Sequence, residues 1–281
     1  MLKIANTLLM TIFAVGLVIC GATARAEDSD VDLLLVLAAD VSRSVDDDEF
    51  RLQREGYAAA VADPRVVHAM TAGPNRRVAV AFVEWSSEWE QNIVVDWTII
   101  AGEPDARAVA TRILAAERGY RGRTSISGAI DFSLKVLARS PFQSTRRVID
   151  VSGDGTNNGG RDIAAARNEA IAQGVTINGL VILSDTPLTS NPAHTHPAGG
   201  LRAYYEEQVI GGPGAFVIEV DGFGAFRQSL ISKLMREVSE LALRQTSQSA
   251  HSRGHGGELC VPSQGSVPRL RIFPRSYGNQ P

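Results

Sequence analysis

Three short stretches of the chain gather oxygen-bearing side chains in a pattern suited to holding a cation. Asp40-Val41-Ser42-Arg43-Ser44 stands at the end of an apolar run, Gly122-Arg123-Thr124-Ser125 opens a helical pattern, and Ser152-Gly153-Asp154-Gly155 follows the apolar segment Arg147–Val151. From these, Asp40, Ser42, Ser44, Thr124 and Asp154 supply two carboxylates and three hydroxyls, with no His or Cys among them. Such a hard-oxygen set suits Mg²⁺, Mn²⁺ or Ca²⁺ and is poor for zinc or copper. The glycines on either side of Asp154 are expected to let the backbone turn sharply enough to bring that carboxylate in. Each residue also has a plainer use. Asp40 and Ser42 can close a strand, Ser44 can cap the helix that follows, Thr124 can cap the helix from Ser125, and Asp154 can sit in an Asp-Gly turn. The case for a site rests on all five falling at strand ends or helix starts that one sheet edge would collect.

The elements that must do the collecting are legible as alternating strand and helix patterns. Val31–Ala38 is a near-continuous apolar run, as expected for a strand buried on both faces of a parallel sheet. Phe50, Tyr57, Ala60 and Val61 then fall at helical spacing, and Asp63-Pro64 ends that segment. Val78–Val83 reads as a second buried strand. Ile93–Trp97 reads as a third, joined to it too closely for a parallel crossover and so antiparallel. Helices follow over Pro104–Glu117 and Ser125–Ala138. The second half repeats the theme: strand Arg147–Val151, helix Arg161–Gln173 closed by Gly174, strand Val175–Leu183, helix Leu201–Val209, strand Ala215–Val220 and a long helix over Phe223–Leu243. The fold class expected is α/β: an open, mostly parallel, doubly wound sheet of about six strands with one antiparallel edge strand and helices on both faces. Ligands in such sheets sit at the carboxyl ends of the strands, near the switch point of strand order.

With those placements, the motif DVSRS, then GRTS, then SGDG resembles the metal-ion-dependent adhesion site of von Willebrand factor type A (vWA) domains, over about Val31 to Leu243. The chain looks most similar to an exported bacterial group of such proteins whose function is unassigned. The resemblance implies that Ser42 and Ser44 bind the cation directly, that Thr124 binds directly or through water, and that Asp40 and Asp154 act mostly through water. It further implies an open coordination position that a partner protein fills with a Glu or Asp, an adhesion or assembly role rather than an enzymatic one. The alternative is a metal-dependent hydrolase using the same oxygen cluster to activate water. Against it stands the lack of a His, Lys or Glu base near a strand end.

Composition sets wider bounds. Hydrophobic residues make up 44% and charged residues 21% of the 281, ordinary globular values. Lys3, the apolar run Leu8–Cys20 and Ala24-Arg25-Ala26 read as a cleavable signal peptide over residues 1–26, too short in its apolar part to anchor in a membrane. The expected location is periplasmic or secreted, with no integral membrane segment after cleavage. The formal charge of −3 becomes more acidic once Lys3 and Arg25 leave, so nothing favours nucleic acid as partner. Cys20 leaves as well, and lone Cys260 permits no intramolecular disulfide. The domain is expected over residues 30–245, and the Gly-, Ser-, Pro- and Arg-rich residues 246–281 read as a disordered tail.

Three features carry less. The acids Asp46, Asp47, Asp48 and Glu49 are explained by a helix start whose dipole they complement. A second ion on Asp47 and Asp48 is the minor reading. His194 and His196 lie in a Pro-rich loop and read as loop decoration rather than as a zinc site, Asp185 being a poor third ligand. His251 and His255 fall in the tail. Trp85, Trp89 and Trp97, with Glu84, Glu88 and Glu90 between them, read as packing over a sheet edge more than as a contact surface.

Overall fold

A computed structural model describes residues 29–183 and 188–238. The signal-peptide residues, the 246–281 tail, Asp185, His251, His255 and Cys260 lie outside the described residues. Six strands form one sheet in the order β3-β2-β1-β4-β5-β6: β1 (Leu34–Asp40), β2 (Val78–Trp85), β3 (Gln91–Ile100), β4 (Arg147–Gly153), β5 (Thr176–Leu183) and β6 (Val217–Asp221). All neighbours pair in parallel except β2 and β3, which form the antiparallel edge. This is the sheet expected from the sequence. Strand order reverses between β1 and β4, so a crevice opens where Asp40 and Gly153 end those two strands.

Helices cover both faces because the central strands are apolar on both. Along β1, Leu35 and Leu37 face a core shared with α1 (Asp47–Val61), α2 (Pro64–Met70), α3 (Glu103–Ala115) and the final helix, α8, over residues 226–238. Leu34 and Val36 face the opposite core, shared with α4 (Ile126–Ala138), α5 (Ile163–Ala172) and α7 (Leu201–Tyr204). Truncating Leu35 or Leu37, both wholly buried, to Ala removes packing worth about 2–5 kcal/mol.

The element boundaries differ from expectation in instructive places. Asp63-Pro64 ends α1 and also starts α2. The Asp63 side chain accepts from the Arg65 amide at 2.9 Å, and Pro64 takes the first turn, where a missing N–H costs nothing. The helix expected over Leu201–Val209 becomes a π-turn from Tyr205 to Val209, and a short α6 (Pro192–Thr195) forms in the loop read as irregular. β2 and β3 run longer than their apolar runs, since the ladder continues through Trp85 and Gln91 toward the turn.

Candidate functional site

The five oxygen ligands expected from the sequence come together at the crevice between β1 and β4. Asp40, Ser42, Thr124 and Asp154 are buried and Ser44 is half-buried. The helix-capping uses open to Ser44 and Thr124 are taken by their neighbours. Asp46, not Ser44, caps α1: its side chain accepts from the Glu49 amide at 2.8 Å, and Glu49 returns a carboxylate to the Asp46 amide at 2.9 Å, a reciprocal capping box. Ser125, not Thr124, caps α4, its Oγ accepting from the Gly128 amide at 3.1 Å. Ser44 and Thr124 are left free to face the crevice.

Their hydroxyls form one directed chain. Ser44 Oγ donates to Asp154 Oδ1 at 2.8 Å, so the 3.1 Å contact between Ser42 and Ser44 is donated by Ser42, and Thr124 Oγ1 donates to Ser42 Oγ at 3.2 Å. At the far end, His194 Nε2 lies 3.1 Å from Thr124 Oγ1, while its Nδ1 lies 3.2 Å from Thr156 Oγ1 and 3.3 Å from Asn158 Nδ2. Because Thr124 spends its proton on Ser42, the network assigns the His194 proton to Nε2, with Nδ1 accepting from Asn158. The imidazole is neutral in this arrangement, in agreement with a pKa pushed down by burial. Each hydroxyl oxygen thus accepts one hydrogen bond and donates one, and keeps a lone pair.

The carboxylates are under electrostatic load. Burial, then the charge of Asp154, holds Asp40 well above the usual carboxylate range, although the Ser42 amide donates to its Oδ1 at 2.7 Å. Burial raises Asp154 to about 6, the Ser44 hydroxyl pulling the other way. Asp40 Oδ2 and the Tyr205 hydroxyl are both buried with no hydrogen-bond partner among the described residues. Both converge on Gly153: a Cβ built there would lie 2.7 Å from Tyr205 Oη and 3.1 Å from Asp40 Oδ2. Gly155 is needed for the same reason, since a Cβ there would overlap the His194 ring. Neither glycine has a positive φ. Close approach is thus a further reason for glycine at both positions, where the chain bends after β4.

A cation fits this donor set. Two carboxylates repel each other in a buried crevice, one oxygen has no donor, and three hydroxyl lone pairs lie beside them, which is the chemistry of a hard divalent ion. The loop that carries Asp40 to Ser44 is held from below. Arg118, itself almost wholly buried and stacked on Phe50, donates to the carbonyls of Val41, Ser42 and Val45 at 2.8, 2.9 and 2.8 Å. Gln53 Nε2 donates to the Asp40 carbonyl at 2.9 Å.

Sequence reasoning missed Arg118, Tyr205 and His194. The reading of His194 as loop decoration is corrected, because α6 buries it against Thr124; His196 is exposed, as a loop residue would be. The bury-and-bond pattern of His194 has one faint sequence signal, the Asn191-Pro192 helix start just before it. Of the acids, Asp47 is engaged by Arg118 and Arg121 and Asp48 by Arg51, so neither carboxylate is free for a second ion. Trp85 is buried and Trp97 half-buried with its Nε1 donating to the Val136 carbonyl at 3.0 Å, as expected of packing residues, whereas Trp89 is 81% exposed at the tip of the β2–β3 turn.

Similar folds occur in solved structures. The pilus adhesin SpaC from Lactobacillus rhamnosus GG has a TM-score of 0.53 at 12% identity, covering 75% of this chain and 31% of its own. Proximal thread matrix protein 1 from the mussel byssus, solved with its MIDAS motif occupied by zinc, has a TM-score of 0.50 at 12% identity, covering 76% of this chain and 48% of its own. A von Willebrand factor type A protein from Catenulispora acidiphila gives 0.49 at 14% identity over 75% and 43%. The chain thus spans less than half the length of each of these three. No curated protein is similar enough in sequence to count as a relative. The family model described as "Protein of unknown function (DUF1194)" matches residues 30–242, and the chain belongs to that family, its domain sharing its fold with SpaC and proximal thread matrix protein 1.

Proposed function

We propose that this protein is an exported binding module that holds a divalent cation, Mg²⁺ or its hard relatives Mn²⁺ and Ca²⁺, at Asp40, Ser42, Ser44, Thr124 and Asp154, and uses it to bind a partner protein through a Glu or Asp. The observation that carries the reading is the pair of buried carboxylates, Asp40 and Asp154, with no ion-pair partner among the described residues and with Asp40 Oδ2 lacking any donor. Three hydroxyls with a lone pair each make the remaining contacts. A cation held mainly by neutral hydroxyls keeps most of its charge, so an external carboxylate is attracted to it. A pilus adhesin and a byssus protein with a zinc-loaded MIDAS motif share the fold, and the reading extends such use of the fold to this chain. Export through the leader at residues 1–26 belongs to the same proposal. No helix among the described residues is long and apolar enough to cross a membrane.

A metal-dependent hydrolase is the second reading, and one observation favours it: His194 stands at the oxygen cluster, where the sequence offered no base. Both of its ring nitrogens are engaged, however, with Thr124 on one side and Thr156 and Asn158 on the other, which suits a positioning role better than proton abstraction. Thermal unfolding with Mg²⁺ and with EDTA tests the main reading. A ligand at one hundred times its Kd adds about 2.7 kcal/mol to stability, so Mg²⁺ is expected to raise the wild-type midpoint and to leave an Asp40→Ala, Ser42→Ala variant unmoved. A wild-type midpoint indifferent to Mg²⁺, Mn²⁺ and Ca²⁺ would sink it. Steady turnover of a generic phosphoester or peptide would turn the choice toward the hydrolase.

A further inference from the structure

Four arginines surround the crevice, and the acids of α1 satisfy only two of them. Arg118 and Arg121 both reach Asp47. Arg43 and Arg123 are exposed and have no ion-pair or side-chain hydrogen-bond partner among the described residues. Their positions are nonetheless fixed: the Arg43 amide donates to the Gly122 carbonyl at 2.9 Å and the Arg123 amide to Ser87 Oγ at 2.8 Å. Both line the cleft of about 180 Å³ that opens onto Ser44, Thr124 and His194. We propose that Arg43 and Arg123 bind a second anionic group of the ligand, so that the partner segment carries two carboxylates close in sequence, one for the cation and one for the guanidiniums.

The inference rests on the proposed cation site and goes beyond it. With Asp40 and Asp154 offsetting a divalent ion, the two guanidiniums leave the mouth of the cleft with a positive charge that one carboxylate does not neutralise. The cleft is smaller than the roughly 300–1,000 Å³ typical of pockets that enclose a whole small molecule. It fits the ends of side chains presented from outside, which favours an acidic protein segment over a metabolite.

The test is calorimetric titration of the purified protein with capped glycine peptides holding one aspartate, or two aspartates one or two residues apart. Each is run with Mg²⁺ and with EDTA, on the wild type and on Arg43→Gln with Arg123→Gln. The two-aspartate peptide is expected to bind about tenfold tighter than the one-aspartate peptide in Mg²⁺. The arginine double variant is expected to lose that preference while keeping the one-aspartate affinity and the Mg²⁺ melting shift. Equal affinity for the two peptides, or no binding of either, overturns the inference while the Mg²⁺ shift still stands for the cation site. A two-aspartate preference that persists unchanged in EDTA overturns the division of the two carboxylates between cation and guanidiniums. Competition by inorganic phosphate as strong as by the two-aspartate peptide makes this a general anion site and overturns the acidic-segment assignment.

Discussion

Two buried pairs of carboxylates stand out among the described residues, and they differ in the countercharge beside them. Asp150, in the middle of β4, and Glu237, on α8, are both buried around Lys233, whose Nζ lies 2.5 Å from each. Asn178 Nδ2 adds a donor to Glu237 at 3.1 Å, and the Phe216 ring lies 5.2 Å from the ammonium. Asp40 and Asp154, one strand end away, have no ion-pair partner among the described residues. The nearest buried guanidinium, Arg118, is committed to three backbone carbonyls. Taking charges out of water costs several kcal/mol per ion, and only a well-placed countercharge offsets it. The first pair therefore has its countercharge within the fold, whereas the second has none among the described residues.

The sharpest break in that comparison is removal of the internal cation. Lys233→Met leaves two buried carboxylates facing each other and is expected to cost about 3–5 kcal/mol in urea unfolding, with most of it recovered when Asp150→Asn and Glu237→Gln are added. A loss below about 1 kcal/mol would mean that the Lys233 cluster is not the neutralised pair it looks like.

Asp40→Asn attacks the other pair and should behave in the reverse way. It replaces a buried carboxyl group that has no ion-pair partner among the described residues, while the carbonyl oxygen of Asn still accepts from the Ser42 amide. In EDTA the variant is expected to be more stable than the wild type by about 1 kcal/mol, and in Mg²⁺ it is expected to show no further gain. Destabilisation in EDTA would place Asp40 among the structural charges and erase the contrast.

The first pair can also be probed by pH. Burial, and next the charge of Glu237, pushes Asp150 up to about 7, against the pull of Lys233. The folded protein then holds that proton more tightly than the unfolded chain does. Its contribution is fully present below pH of about 4 and is lost as pH rises toward 7. Asp150→Asn is expected to flatten the fall by up to one proton, about 1.4 kcal/mol per pH unit, in melts run in EDTA across that range. An unchanged slope would mean that Asp150 is ionised throughout.

The smallest effect concerns the acids next to the site. Asp47→Asn and Asp48→Asn remove exposed ion pairs with Arg121 and Arg51 and should each change stability by no more than about 0.5 kcal/mol, with the Mg²⁺ shift intact. Loss of that shift would give these acids a second ion after all.

The unequal ease of reading these features from sequence has physical causes. DVSRS, GRTS and SGDG were legible because each sits where a periodic apolar pattern stops, and a strand end or helix start fixes its place in the fold. The sheet was legible because β1, β2 and β4 are apolar on both faces, a pattern that only covered strands show. Arg118 was hidden because its three acceptors are backbone carbonyls more than seventy residues away, which leave no mark on residue type. Lys233 was hidden for a similar reason. On a helical pattern it reads as an ordinary surface lysine, and only the packing of α8 over β4 sets it beside Asp150.

What the sequence determined by itself is therefore the set of strands and helices, their mostly parallel order, and the five oxygen-bearing residues at their ends, since local periodicity and residue chemistry carry all of these. The tertiary structure alone decided which residues hold those five in place and which charges are answered. His194 against Thr124, Tyr205 beside Gly153, and Arg43 and Arg123 without an ion pair among the described residues are facts of distance between remote segments. Whether a buried carboxylate is structural or poised for a ligand depends on the countercharge within a few ångströms of it, and that neighbour is chosen by the fold.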